Sequence, residues 1–490
     1  MATWAKRIKT NSGLRDGALF AVLLCLGVGA ALVVAAPWNF EGKPIWEIEI
    51  DGVKIPTGSF RPEALIKLVR KRLQAPVRLL GPNLTHETTW AELGAAVDLD
   101  ALGELLVGLR NPSSPTAKYF HKERNDDEIP KIALPIFLQT NAAVESLTAL
   151  KDVIDRAPLD ATFDFKAGAV TDEQDGRTLD VYETLLALDK ALKAKKTDVQ
   201  LAVERVPSKT TRAALKEINV SKTVGFFETP FSQMKKDEDR TYNVRLGSSR
   251  LNGRIIMPGE TFSLNDALGD RSEAKGFRYA PVIAGGVLME GMGGGTCQVA
   301  STLYSASFFS GLVVEERHTH SRPSSYIKIG LDATVSFPDL DLKLKNPFDF
   351  PVAVHFTSDN GILRAEIRGK RRPYTVTLLR RIIGTVPFAI KTVEDPNILN
   401  GKEVVTQNGI PGYTVRRFQV IEADKVGYRF QTVDKYPPTT RYIRKGTATS
   451  QAAIDPSQVP KPDMHKPYHA STYLRMVQGT DGLWSEQTHD

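Results

Sequence analysis

Between Gly293 and Ser321 the chain reads GGGTCQVASTLYSASFFSGLVVEERHTHS, a span that opens on three glycines and holds a cysteine and two histidines. A cysteine attacks carbonyls or binds metals only as thiolate, so the question is what would deprotonate it. The glycines followed by QVASTLYSASFFSGL read as a loop turning into a helix that stops at Gly311, with Val299, Leu303, Ala306 and Phe309 on one face. Cys297 then falls in the first turn, where unpaired N–H groups and the positive end of the helix dipole favour the thiolate. LVVEERHTH reads as the next strand, whose two-residue period puts His318 and His320 on one face. His318 follows the alternation more directly and is expected to be the base, with His320 as the alternative. Asp332, just after the turn at Gly330 and Leu331, is expected to hold the second imidazole nitrogen and set the tautomer. Gly293, Gly294, Gly295, Gln298 and Tyr304 are the candidate binding residues, the glycines because they let a substrate's backbone come close.

Cysteine at a helix start, histidine on the next strand and a carboxylate beyond it is the order of parts in transglutaminase-like and related thiol enzymes. There, histidine takes the thiol proton and aspartate orients the imidazole. Two alternatives stand beside this one. Cys297, His318, His320 and Asp332 could ligate zinc, but the segment has no second cysteine and no paired H-x3–5-H element, so no metal and no cofactor is expected. Or the thiol is packed beneath a tight glycine turn, with the histidines and Asp332 forming a satisfied hydrogen-bond cluster.

The elements that must position these groups belong to a long chain. At 490 residues, with 41% hydrophobic and 25% charged residues, it is expected to fold as two to four α+β domains. Its net charge of +7 comes from dispersed basic residues without a zinc-finger or RNP-type signature, so nucleic acid is not an expected partner. GALFAVLLCLGVGAALVVAA, residues 17–36, is long enough to cross a bilayer as a helix. Lys6, Arg7, Lys9 and Arg15 ahead of it predict a cytoplasmic tail over 1–16, a retained membrane anchor and an exported body. Cys25 lies in that span and Cys297 beyond it, so no disulfide is expected to staple the folded domains.

Past the span, residues 46–55 alternate like a strand, and 60–76 carry Leu65, Leu68, Val69 and Leu73 at helical spacing. TTWAELGAAVDLDALGELLVGL and GRTLDVYETLLALDKALKA both place an aspartate ahead of a leucine-patterned helix. Residues 40–218 are expected to form one mixed α/β region and 224–369 an α+β domain that opens with a loop and a helix. Residues 374–448 are expected to form a β-rich module, and 449–490 a tail without structure at its end.

SRLNGRIIMPGETFSLNDALGDRSEAKGFRYAPVI, GGGTCQVASTLYSASFFSGL, ERHTHSRPSSYIKIGLDATVSFPDLDLKLKN and FPVAVHF together closely resemble the VanW family, named from vancomycin-resistance clusters. Where that family reads C-Q-V-S-T-T-L-Y, this chain has Ala300 at the first small polar position and keeps the cysteine and the tyrosine. The two aspartate-plus-helix segments resemble the peptidoglycan-binding domain that often precedes VanW domains. NGIPGYTVRRFQVI…YPPTTRYIRKGT resembles the five-glycine module of wall-associated proteins. The resemblance implies peptidoglycan as partner and a cell-envelope location; a role in antibiotic resistance is carried by the family's name alone. It leaves two functions open: a module that binds or organises peptidoglycan, or a cysteine-dependent acyltransferase or amidase acting on its stem peptides.

Overall fold

A computed structural model describes residues 47–490 apart from 57–61, 112, 123–128, 285–286, 424–425 and 464–467. The span expected at 17–36, the tail before it and Cys25 lie outside the described residues. No helix among the described ones is long and apolar enough to cross a membrane. The described chain divides into two compact units, one running to Leu159 and resuming over Gln174–Ser208, the other made of Asp160–Glu173 and Lys209–Asp490. Both mix helices and strands.

In the first unit the helix Pro62–Leu73 begins on the proline, which suits a first helical position because its missing N–H would be unpaired there anyway. Leu65, Leu68, Val69 and Leu73 all turn inward, as their spacing predicts. They join Ile48, Ile50, Trp90, Leu102, Leu147 and Leu188 in one core. The alternation over 46–55 is not one strand. Asp51 and Gly52 both take positive φ, 49° and 82°, and fold Glu47–Ile50 back on Val53–Pro56 as a two-residue hairpin. An Asp-Gly pair favours this turn because its twist matches that of the strands. The two aspartates of the echoed segments are helix caps. Asp98 Oδ1 accepts from the Ala101 N–H at 2.9 Å ahead of Leu99–Arg110, and Asp180 Oδ1 from the Glu183 N–H at 2.9 Å ahead of Val181–Lys193.

The second unit is built around the helix Thr296–Ser310, which packs on the strands Lys222–Pro230 and Ile362–Gly369. Those strands pair antiparallel and continue through Val352–Asp359 to Ile255–Ile256, giving a four-stranded sheet. The strand Lys222–Pro230 lies where a loop was expected; its FFETP run lacks clean alternation because Phe227 stacks on Phe309 of the helix while Phe226 lies against the Arg364 guanidinium. Gly225 makes that approach possible, since a Cβ there would run into the backbone of Phe309 and Ser310. Beyond Lys370 a five-stranded antiparallel sheet runs in the order Val426–Tyr436, Gly412–Ala423, Thr375–Val386, Tyr473–Gln478, Trp484–His489. The chain's end is therefore paired in a sheet, not unstructured: Trp484 lies opposite Gln478 and His489 opposite Tyr473. Val376, Leu378, Ile421, Leu474 and Met476 of that sheet share one core with Leu303, Phe308 and Phe309 of the helix. Each such fully buried Leu or Phe contributes roughly 1.5–3 kcal/mol.

Candidate functional site

The helix Thr296–Ser310 starts where Gly293 and Gly295 take φ of 75° and 109°, a backbone that a side chain would strain. It is closed at its end by Gly311 with φ 84°. Cys297 is its second residue, as expected. The single apolar face read from the sequence is not what packs: of the helix's fifteen residues every one is buried except Cys297, which is partly exposed. The thiol is thus the one side chain that this helix offers to the outside.

Serines one and two turns further along stitch the helix to the segment carrying Asp332. Ser301 Oγ donates to the Ala333 carbonyl at 3.0 Å and accepts from the Ala333 N–H at 2.9 Å; Ser305 Oγ donates to the Leu331 carbonyl at 2.8 Å. Cys297, Ser301 and Ser305 recur at the four-residue interval that keeps helical side chains on one face. The same lacing lays Thr334 and Val335 beside the sulfur, with Thr334 Oγ1 at 3.7 Å and the Val335 carbonyl at 3.5 Å.

His320 faces this sulfur, and His318 does not. The strand carrying them ends at Glu316, so the two-residue alternation that placed both histidines on one face does not extend to either. His318 Nε2 lies 3.0 Å from Glu316 Oε1, half-exposed, while its backbone carbonyl accepts from the Thr334 N–H at 2.8 Å. The Glu316 carboxyl is held down at about 2, by Lys343 first and His318 second. The expectation that His318 is the base is therefore corrected, because the Glu316 carboxylate at the strand's end claims the ring. His320 is buried. Its Nδ1–H donates to Asp332 Oδ2 at 2.9 Å, its backbone N–H donates to the same oxygen at 2.9 Å, and its Nε2 stands 3.3 Å from the Tyr326 hydroxyl.

Charge follows this geometry. Burial by itself would raise the Cys297 pKa, but a hydrogen bond from His320 and its positive charge outweigh that. With smaller help from the Val335 backbone and the Thr334 hydroxyl, the thiol comes down to about 7. Burial opposes a charged His320, yet Tyr326, Asp332 and Cys297 together raise its pKa well above the usual value. Burial would also raise Asp332, but the bond to His320 and the Arg317 guanidinium hold it well below the ordinary carboxylate range. The arrangement therefore favours a thiolate beside an imidazolium, with the ionised carboxylate behind it.

Residues that sequence reasoning did not single out complete the cluster. Asp332 Oδ1 accepts from Arg317 Nη2 at 3.0 Å and from the Tyr436 hydroxyl, and its backbone carbonyl accepts from Arg317 Nε at 2.7 Å. Arg317 Nη1 reaches Asp434 Oδ1 at 2.6 Å, and Arg417 Nε reaches Asp434 Oδ2 at 2.8 Å. All four charged side chains are buried, two guanidiniums against two carboxylates. Arg317 sits in ERHTHS and was visible in principle; Asp434 and Tyr436 lie about a hundred positions away, and no local pattern marks them.

The expected binding residues are occupied by the protein itself. Gln298 is fully buried, accepting from Arg240 Nη2 at 2.9 Å and donating to Thr229 Oγ1 at 2.9 Å and the Pro230 carbonyl at 2.8 Å. Tyr304 is fully buried with Arg317 and Arg417 against its ring, at 5.1 and 5.8 Å. The space a side chain would take at Gly293, Gly294 and Gly295 is filled by Arg271, by the Ala280 and Pro281 carbonyls, and by Val244 with Arg240. These five residues build the turn and the helix, and none holds open room for a ligand's backbone. Among the described residues no group of three or more His, Cys, Asp and Glu is arranged to hold a metal ion.

The stretch that carries this geometry is similar to known proteins. Residues 239–368 match the family described as VanW like protein, the stretch that contains Cys297, His320 and Asp332. This chain carries a VanW-like domain. Ahead of it, residues 87–200 match the family described as "Putative peptidoglycan binding domain", and behind it residues 383–448 match the G5 domain. Over 131 residues the chain is 37% identical to Uncharacterized protein YoaR of Bacillus subtilis (strain 168), covering 27% of this chain and 43% of that protein. It is 28% identical over 141 residues to Vancomycin B-type resistance protein VanW of Enterococcus faecalis (strain ATCC 700802 / V583), covering 28% of this chain and 51% of that one. The matches thus span about half the length of each relative or less.

Two solved structures are also similar to a part of this chain. The IgA1 Protease G5 domain structure is 23% identical over 15% of this chain and 93% of that one, with a TM-score of 0.11. The crystal structure of HP0197-G5 is 20% identical over 14% of this chain and 97% of that one, with a TM-score of 0.09. A VanW-like domain between a peptidoglycan-binding-type match and a G5 match is the make-up of a cell-wall-associated protein. The VanW-like match stops at 368, so Tyr436, which bonds to the Asp332 carboxylate, and Asp434, which bonds to Arg317, fall inside the G5 match.

Proposed function

We propose that this chain is an exported, membrane-anchored cell-wall protein that holds peptidoglycan through its first unit and acts on the stem peptides through Cys297. The anchor rests on the apolar run over 17–36 and the basic residues before it. The observation that carries the chemistry is the line of Cys297, His320 and Asp332, a partly exposed thiol beside a buried imidazole that is oriented by a buried carboxylate. A packed structural cysteine has no use for that arrangement.

In this reading the Cys297 thiolate adds to a stem-peptide amide carbonyl and forms the C–S bond. His320 Nε2–H protonates the departing amine as the C–N bond breaks, which leaves a thioester and a neutral imidazole. Water or a second amine then attacks the thioester while Nε2 takes its proton, and the acid or new amide departs as Cys297 and His320 return to thiolate and imidazolium. Asp332 keeps its charge throughout and holds Nδ1–H, so that Nε2 faces the sulfur.

The test is to incubate the full chain with purified sacculi and follow pelleting together with the release or transfer of stem-peptide fragments by mass spectrometry. The parent should pellet and change the peptide profile. Cys297→Ala and Cys297→Ser should pellet equally and leave the profile as it was. A parent that pellets without altering the peptides would reduce the function to wall binding, and a parent that stays in the supernatant would remove the wall reading.

A further inference from the structure

We infer that the C-terminal β-rich module is a working part of the thiol site, with Tyr436 and Asp434 as positioning residues that hold the Asp332 carboxylate in line with His320. This inference rests on the thiol-dependent reading above. Asp332 has two carboxylate oxygens with separate duties. Oδ2 accepts both bonds from His320, and Oδ1 is turned the other way, onto Arg317 and the Tyr436 hydroxyl. A carboxylate pinned at both oxygens cannot rotate about its Cβ–Cγ bond, and that rotation is what would release the imidazole.

Of the pins on the Oδ1 side, Tyr436 comes from the strand Val426–Tyr436, and Arg317 is itself held from that strand by Asp434. The Tyr436 hydroxyl donates to Asp332 and accepts from the Gly330 N–H at 2.7 Å, so it fixes both the side chain and the turn leading into it. Burial and the nearby Asp332 charge push the Tyr436 pKa well above the usual phenol value, which keeps it a donor at any physiological pH. Asp434 lies two residues earlier, on the same face of the strand. It divides its oxygens between Arg317 and Arg417, and so holds Arg317 against Asp332. Without Asp434, the buried Arg317 and Arg417 guanidiniums would lose the carboxylate they share, and the hold of Arg317 on Asp332 would change.

The module is not a loosely tethered appendage. Gln419 Nε2 donates to the Phe308 carbonyl at 2.7 Å, at the far end of the helix that carries Cys297. The Gln478 side chain bonds to both backbone groups of Phe226, and the two parts share one hydrophobic core. The VanW-like match alone, ending at 368, therefore contains Cys297, His320, Asp332 and Arg317, but neither Tyr436 on the Asp332 carboxylate nor Asp434 on Arg317.

The test uses the full chain and reads the rate of iodoacetamide alkylation at the Cys297 peptide against pH by mass spectrometry, which separates it from Cys25. The parent midpoint should lie near 7. Tyr436→Phe keeps the ring and removes the hydroxyl, and should raise that midpoint by about half to one pH unit as the carboxylate loosens and imidazolium support weakens. Asp332→Asn should raise it further. Val415→Ala, a fully buried side chain in the same module, should lower the melting temperature and leave the midpoint in place. A Tyr436→Phe midpoint equal to the parent's would overturn the positioning role while leaving the thiol reading intact. A parent midpoint at the ordinary thiol value would overturn both. Should Tyr436→Phe fail to fold, Asp434→Asn replaces it with the same expected direction, and no shift there would count equally against the inference.

Discussion

Replacing His320 by glutamine tests whether the imidazole beside Cys297 sets its reactivity. In the folded protein the thiol titrates at about 7, against burial that by itself would raise it. An unperturbed thiol titrates near ~8.5, so losing the imidazolium should move the midpoint up by about 1.5 units, and by more where burial is left unopposed. At pH 7 the thiolate fraction then drops from about a half to about 3%, roughly 16-fold. The remaining thiolate is the stronger nucleophile, by about 4–6-fold for a Brønsted slope of ~0.4–0.5, so the alkylation rate at pH 7 falls only about 3–4-fold. The midpoint, not the rate at one pH, is therefore the quantity to read. His318→Gln should leave it in place, since that ring is engaged by Glu316 on the other side of the strand's end. A His320→Gln midpoint within about 0.3 unit of the parent, or a His318→Gln midpoint that moves instead, would refute the assignment, being far short of the shift that burial and a lost cation demand.

Asp332 supplies a stability signature with a definite sign. Its folded pKa is depressed, so its contribution is fully present above the unfolded value near ~3.9 and is lost as pH falls toward its own lower value. The gap in melting temperature between the parent and Asp332→Asn should be wide at pH 5 and narrow below about pH 4; a gap that widens on acidification would contradict the paired carboxylate. Gly225→Ala should cost about 1–3 kcal/mol, because the new methyl meets the backbone of Phe309 and Ser310; thermal unfolding at parent stability would show that this approach is looser than described. Asp98→Ala and Asp180→Ala should each cost about 1 kcal/mol as lost helix caps and leave sacculus pelleting intact, whereas a loss of pelleting without a stability change would make these aspartates ligands instead.

What the sequence determined by itself is local. The left-handed glycines at 293 and 295, the helix behind them, its stop at Gly311 and the place of Cys297 in the first turn follow from interactions within a few residues, as do the inward faces of Leu65, Leu68, Val69 and Leu73. Even locally, one stronger signal was passed over: Asp51-Gly52 turned an alternating run into a hairpin. The reach from Asp332 back to a histidine was also readable, because only twelve positions separate it from His320.

The tertiary structure alone decided which histidine it would be. The strand stops at Glu316, and that glutamate, held down by Lys343, keeps His318 outside while the chain turns His320 inward. Only the fold, likewise, made Gln298 and Tyr304 interior residues, since a helix buried on every side has no face that its own sequence period can reveal. The hold of Asp434 on Arg317 and of Tyr436 on Asp332 joins positions about a hundred residues apart. Nothing in the local pattern of either segment encodes it, because such a bond forms only once two sheets and a shared core have brought the strands together.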